Sequence, residues 1–220
     1  MIDWTKPVKC INDLSMNIAS PRRRMQPEDR RAQLMDYGIQ VFARLGIGRA
    51  SHAEIAREAG VSVATVFNYF PTREILVLQI LEEVAKNLTA LLENLDQKNV
   101  TAPQALYNLM RAFADATETH TDMVRVWLEW STSVRDDIWP KYLVFQEKVV
   151  NRLQDLIVRG QRQGQIPADV DPRDAARIIV GDAHMVVLMH FAHQAARDMD
   201  GFLRHLIESV LKIPATSLTA

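Results

Sequence analysis

A single cysteine, Cys10, stands in a chain of 220 residues. One thiol excludes an internal disulfide and any zinc site built on several thiolates, and it suits a reducing cytosol. Net charge is nearly absent, with 26 Lys and Arg against 27 Asp and Glu. The chain as a whole is therefore no polycation, and any nucleic-acid surface must be a local basic patch. Long apolar runs are missing as well. The most apolar stretch, residues 178–196, is broken by Asp182, His184, His190 and His193, whereas a membrane span needs about 20 mostly apolar residues. The first twenty residues hold Asp3, Lys6, Lys9 and Asp13 and no apolar core of a signal peptide. A cytoplasmic protein with no membrane partner is expected.

Enzyme motifs are lacking too. The chain has no phosphate loop, no G-x-S-x-G and no H-E-x-x-H. Gly46 and Gly48 form a lone G-x-G that reads as a helix stop, and Glu129 and Asp182 are isolated carboxylates without an acid-base partner in sequence. His190 and His193 have a spacing compatible with a metal, but no carboxylate accompanies them. Neither catalysis nor a cofactor or metal is expected.

Two-residue alternation is scarce, so strands are not expected. Helical spacing is present throughout. Pro27, followed by Glu28 and Asp29, marks a helix start, and Leu34, Gly38, Val41, Phe42 and Leu45 share one face. Gly46 and Gly48 end that helix. Ser51 with Glu54 three residues on opens a second, Gly60 breaks it, and Ser62 caps a third. Pro71 stops the third, and Thr72 caps a fourth expected to reach about Leu95. Further helices are expected over 103–119, 121–134, 138–163, 173–197 and 201–212.

The informative segment runs from His52 to Phe70, HAEIAREAGVSVATVFNYF. Ile55, Ala59, Val61, Val66 and Tyr69 are spaced to form a small core between two crossed helices. Ala56 permits their close approach, and Gly60 supplies a turn residue for which positive φ costs little. That is a helix-turn-helix, whose second helix enters the DNA major groove. An ordinary helical hairpin is the competing reading. Charge favours the first: residues 21–74 carry nine arginines against six carboxylates, while residues 75–220 carry fifteen Lys and Arg against nineteen Asp and Glu. Arg22, Arg23 and Arg24 form a basic arm suited to a minor groove or to phosphates, or simply to solubility.

The run AEIAREAGVSVATVFNYFPTRE resembles the head of TetR-type regulators. More narrowly, VSVATVFNYFPTRE (Val61–Glu74), VFARLGIGRASHAEIA (Val41–Ala56) and VWLEWSTSVRDDIWP (Val126–Pro140) resemble the quorum-sensing master regulators of the LuxR/HapR/SmcR type from vibrios. The resemblance implies an all-α fold of about nine helices and a homodimer on palindromic double-stranded DNA. It divides the chain into an arm (1–20), a three-helix DNA-binding head (21–74) and a helical dimerisation and ligand-binding bundle (75–220). It places Ser51, Ser62, Val63, Ala64 and Thr65 at the DNA. Asn68 is the best base reader among them, because an amide pairs bidentately with adenine. Tyr69, Thr72 and Arg73 are implied on phosphates, which position without reading sequence. For Tyr69 a purely structural role stays open.

In the body, Trp127 and Trp130 share a helical face and can join Met110, Phe113, Phe145 and Gln146 around an apolar space. The resemblance implies a pocket for an apolar small molecule, while a packed aromatic core is the simpler alternative. Gln146 and Val149 depart from the asparagines usual in those relatives. The helix at 173–197 is apolar nearly all round, so with the helix at 201–212 it suits burial against a twin subunit. Three functions follow as candidates: a quorum-sensing-type regulator, a ligand-released local repressor of efflux or catabolic genes, or a helical interaction module without DNA binding.

Overall fold

The computed structural model describes residues 26–96, 100–194, 196–214 and 218. The arm at 1–20 and Arg22, Arg23 and Arg24 lie outside the described residues. Among those described, nine α-helices and no strand are present: α1 (Pro27–Leu45), α2 (His52–Ala59), α3 (Val63–Tyr69), α4 (Arg73–Ala90), α5 (Ala102–Thr119), α6 (Thr121–Thr132), α7 (Trp139–Arg162), α8 (Pro172–Phe191) and α9 (Met199–Leu211). A 3-10 turn, Leu91–Asp96, follows α4.

Local chemistry sets most of the starts. Ser51, Ser62, Thr72, Thr101, Asp171 and Asp198 each turn a side-chain oxygen onto a free backbone N–H of the first turn. Such caps each contribute about 1 kcal/mol. Two ends differ from expectation. The α4 spiral tightens after Ala90, before the expected Leu95. Helix α8 stops at Phe191 and not near Arg197. His193 there takes a left-handed φ of 55°. Its N–H donates to His190 O and the Gln194 N–H to Met189 O, a closing pair that usually relies on glycine.

Two apolar cores hold the chain. The first joins α1, α2 and α3 to α4 and α6 through Leu34, Phe42, Ile55, Val66, Phe70, Ile80 and Trp127. The second packs α5, α7, α8 and α9 through Leu106, Leu153, Ile157, Ile179, Leu203 and Ile207. The helices that carry the outward-facing α3 thus share a core with α6 of the body.

Candidate nucleic-acid interface and body cavity

Gly60 turns α2 into α3. Its φ of 64° is left-handed, and the Val61 N–H reaches back to Ala56 O at 3.0 Å. No atom lies within 4 Å of where a Cβ would stand, so the need for glycine here is conformational and not steric. Ser62 then accepts from the Thr65 N–H at 3.1 Å and shares a 2.9 Å hydrogen bond with the Thr65 hydroxyl. Helix α3 is thereby pinned at both its turn and its first residue. Val66 and Phe70 point inward and are fully buried. Ser62, Val63, Ala64, Phe67 and Asn68 are exposed, and Thr65 and Tyr69 are half-buried. Tyr69 packs against the first core.

His52 braces the exposed face from below. Its buried ring places Nε2 2.7 Å from Phe70 O, so that nitrogen carries the proton. Its plane lies against the Phe67 ring, 4.0 Å between centroids and 5° from parallel.

The Gly46–Gly48 turn before α2 is held from two sides. Glu129, on α6, accepts from the Ile47 N–H at 2.8 Å. Arg73, at the start of α4, donates from Nη2 to Ile47 O at 2.8 Å and Gly48 O at 2.7 Å. A Cβ on Gly46 would stand 3.1 Å from Glu129 Oε1. Arg49 donates to Leu45 O at 2.9 Å in the same turn. Arg49 and Arg73 thus donate to backbone carbonyls, and the charge of Arg73 also acts on the neighbouring Glu74. Arg44 and Arg57 instead pair with Glu54 and Glu58. Glu74 is held below the usual carboxylate range by backbone and Thr72 hydrogen bonds. Thr72 itself accepts from the Ile75 N–H at 3.2 Å.

In the body an apolar cavity of about 70 Å³ is lined in part by Met110, Phe113, Trp127, Phe145 and Gln146. Trp130 is not on its wall. That ring lines a separate groove between α4 and α7, and its Nε1 donates to Ile138 O at 3.0 Å. No lysine, arginine or carboxylate lines the cavity. His184 sits beside it with its ring 4.3 Å from that of Trp127. Its Nδ1 donates to Val180 O at 2.9 Å, and Nε2 accepts from the Tyr142 hydroxyl at 3.2 Å. Burial lowers the His184 pKa and pushes Tyr142 up to about 12, so the neutral pair is favoured.

Residues 34–80 match the family model of bacterial regulatory proteins of the tetR family, and residues 99–188 match a tetracyclin repressor-like C-terminal domain. The HTH-type transcriptional regulator LuxR of Vibrio harveyi is 35% identical over 166 residues, 76% of this chain and 81% of that protein. The chain belongs to the TetR family of transcriptional regulators. Solved TetR-like structures share its fold. FadR from Bacillus subtilis, in complex with stearoyl-CoA, superposes with a TM-score of 0.68 at 22% identity, covering 82% of this chain and 97% of that one. Salmonella enterica GusR superposes with a TM-score of 0.71 at 20% identity, covering 86% and 98%. TetR-family members act by binding DNA as dimers, not by catalysis. No helix among the described residues of this TetR-family chain is long and apolar enough to cross a membrane, and no group of three His, Cys, Asp or Glu side chains is placed to hold a metal.

The structure brings Ser62, Val63, Ala64, Thr65 and Asn68 together on or beside the outer face of α3. It sets Ser51, Thr72 and Arg73 at the adjoining helix starts. The sequence assigned no role to Phe67 or His52, and Glu129 stood there only as an isolated carboxylate. An exposed Phe inside an apolar-rich motif looks like core, and Glu129 reaches a partner 82 residues away.

Proposed function

We propose that this TetR-family chain is a cytoplasmic, sequence-specific regulator that binds a palindromic double-stranded operator as a homodimer, in the manner of the quorum-sensing-type LuxR relative. The observation that carries the reading is the outer face of α3: four exposed positions on a helix locked by Gly60 and by its exposed cap Ser62, and flanked by Arg49 and Arg73, whose hydrogen bonds go to backbone carbonyls. Residues 21–74 form the DNA-binding head and 75–220 the dimerisation and ligand-binding body. Asn68 reads a base edge, Ser62, Val63, Ala64 and Thr65 enter the groove, and Ser51, Tyr69, Thr72 and the remaining donors of Arg73 meet phosphates. Arg22, Arg23 and Arg24 follow the neighbouring backbone or minor groove.

A second copy docks on α8 and α9. Ile178, Met185 and Leu188 are exposed along one side of α8. Asp182 Oδ2 and Glu208 Oε1, on the same two helices, are buried without a hydrogen-bond partner among the described residues.

Mobility shifts test the reading. Asn68→Ala should lose about 1–3 kcal/mol of discrimination between a selected operator and random duplex. Equal loss on both duplexes would contradict a base-reading role, and no wild-type binding at low salt would leave the interaction-module reading. A ligand-released local repressor is the second reading, favoured by the apolar cavity. Its size, well below the roughly 300–1,000 Å³ of drug-sized pockets, suits a small neutral molecule and not a long acyl chain. Genome-wide mapping of bound sites separates the two: many scattered operators support the first reading, and one operator beside a transporter or catabolic gene supports the second.

A further inference from the structure

The face of α3 that meets DNA is more apolar than a base-reading amide requires. Val63 and Phe67, four residues apart on the same side, are 41% and 45% exposed, and Ala64 lies beside them. Phe67 is the only aromatic among the large hydrophobic side chains left exposed in the described residues. It cannot withdraw inward, because Ile55, Val66 and Phe70 already fill the space beneath α3 without residual exposure. Nor is the ring free to swing. It lies flat on His52, whose own ring is buried and fixed to Phe70 O. The result is a rigid apolar strip pointing outward from a recognition helix.

A phenyl ring and a valine have no hydrogen-bond donor, so neither can hold a phosphate. In the major groove the apolar group offered by an unmodified base pair is the C5-methyl of thymine. We propose that Phe67, with Val63, reads thymine methyl groups, making Phe67 a specificity-determining residue beside Asn68. The inference rests on the DNA-binding reading above. Asn68 then selects through hydrogen bonds, and Phe67 through burial of a methyl group that cytosine and uracil lack.

The test uses the full-length protein and a duplex it selects from a random pool. Each thymine in a half-site is replaced in turn by deoxyuridine, which removes only the methyl group. For the wild type, one or two positions per half-site should weaken binding about fourfold, the equivalent of one buried CH2-sized group. Phe67→Ala should bind the thymine and uracil duplexes alike at those positions. Phe67→Tyr, which keeps the ring and its seat on His52, should keep the preference and controls for folding. A wild type that binds but ignores every methyl overturns this inference alone. So does a Phe67→Ala protein that loses affinity while the thymine–uracil difference stays the same. A wild type that shifts no duplex at low salt overturns the DNA-binding reading and this inference together.

Discussion

His184 shows how one residue links the cavity wall to solution conditions. Both ring nitrogens are committed, Nδ1 as donor to Val180 O and Nε2 as acceptor from Tyr142. A second proton must therefore reverse the tyrosine bond, so that Nε2 donates and the Tyr142 hydroxyl accepts, in a half-buried apolar site. Burial holds the His184 pKa below its ordinary value, opposed only by the Val180 bond. The unfolded chain thus takes up this proton more readily than the folded one. The stabilising contribution is complete above the ordinary histidine pKa of about 6.5 and is lost as pH falls below it toward the lowered value. The Tm of the wild type should accordingly fall more steeply than that of His184→Gln between about pH 7.5 and about 5.5. Parallel Tm profiles for the two proteins would show that His184 is not held neutral by the fold.

At the scale of elements, the α1–α2 turn connects the head to the body. Glu129 takes its N–H and Arg73 its carbonyls, so α6, α4 and the start of α2 meet on three residues. Glu129→Ala leaves the buried Ile47 N–H without an acceptor and should cost about 1–3 kcal/mol in thermal or denaturant unfolding. Glu129→Gln keeps an acceptor oxygen and should recover most of that loss. If Gln proves as harmful as Ala, the carboxylate acts through charge and not through this bond. Arg73 bears on the same turn, so Arg73→Ala should lower both stability and DNA affinity, and not flatten the salt dependence alone.

The caps at Ser51, Ser62 and Thr72 and the break at Gly60 were legible in the sequence because each is local: an oxygen and an amide three residues apart, or one left-handed residue. The end of α8 was not legible, since His193 adopts a glycine-like conformation without being glycine. The Glu129–Ile47 bond was not, because no spacing rule reaches across 82 residues. The cavity was legible in outline. Met110, Phe113, Trp127, Phe145 and Gln146 line it, whereas Trp130 sits on the same helix but faces the groove toward α7. Helical periodicity places both tryptophans inward and does not say which neighbour each one meets.

On the scale of the whole molecule, the proposed homodimer seats its second copy on the exposed side of α8. Leu188 is 55% exposed, and a charge there would be buried unpaired in a dimer. Leu188→Asp should move the protein from dimer to monomer in sedimentation and weaken operator binding with it. A variant that stays dimeric would move the interface away from this face.

Operator binding by a homodimer requires two α3 helices to reach the same side of one duplex. Hydroxyl-radical footprinting of the full-length protein on its selected operator measures this directly. Two protected half-sites on one face of the DNA, centred about one helical turn or roughly 34–36 Å apart, or a whole multiple of it, are the expected result. A single protected half-site, or two on opposite faces of the duplex, would contradict it.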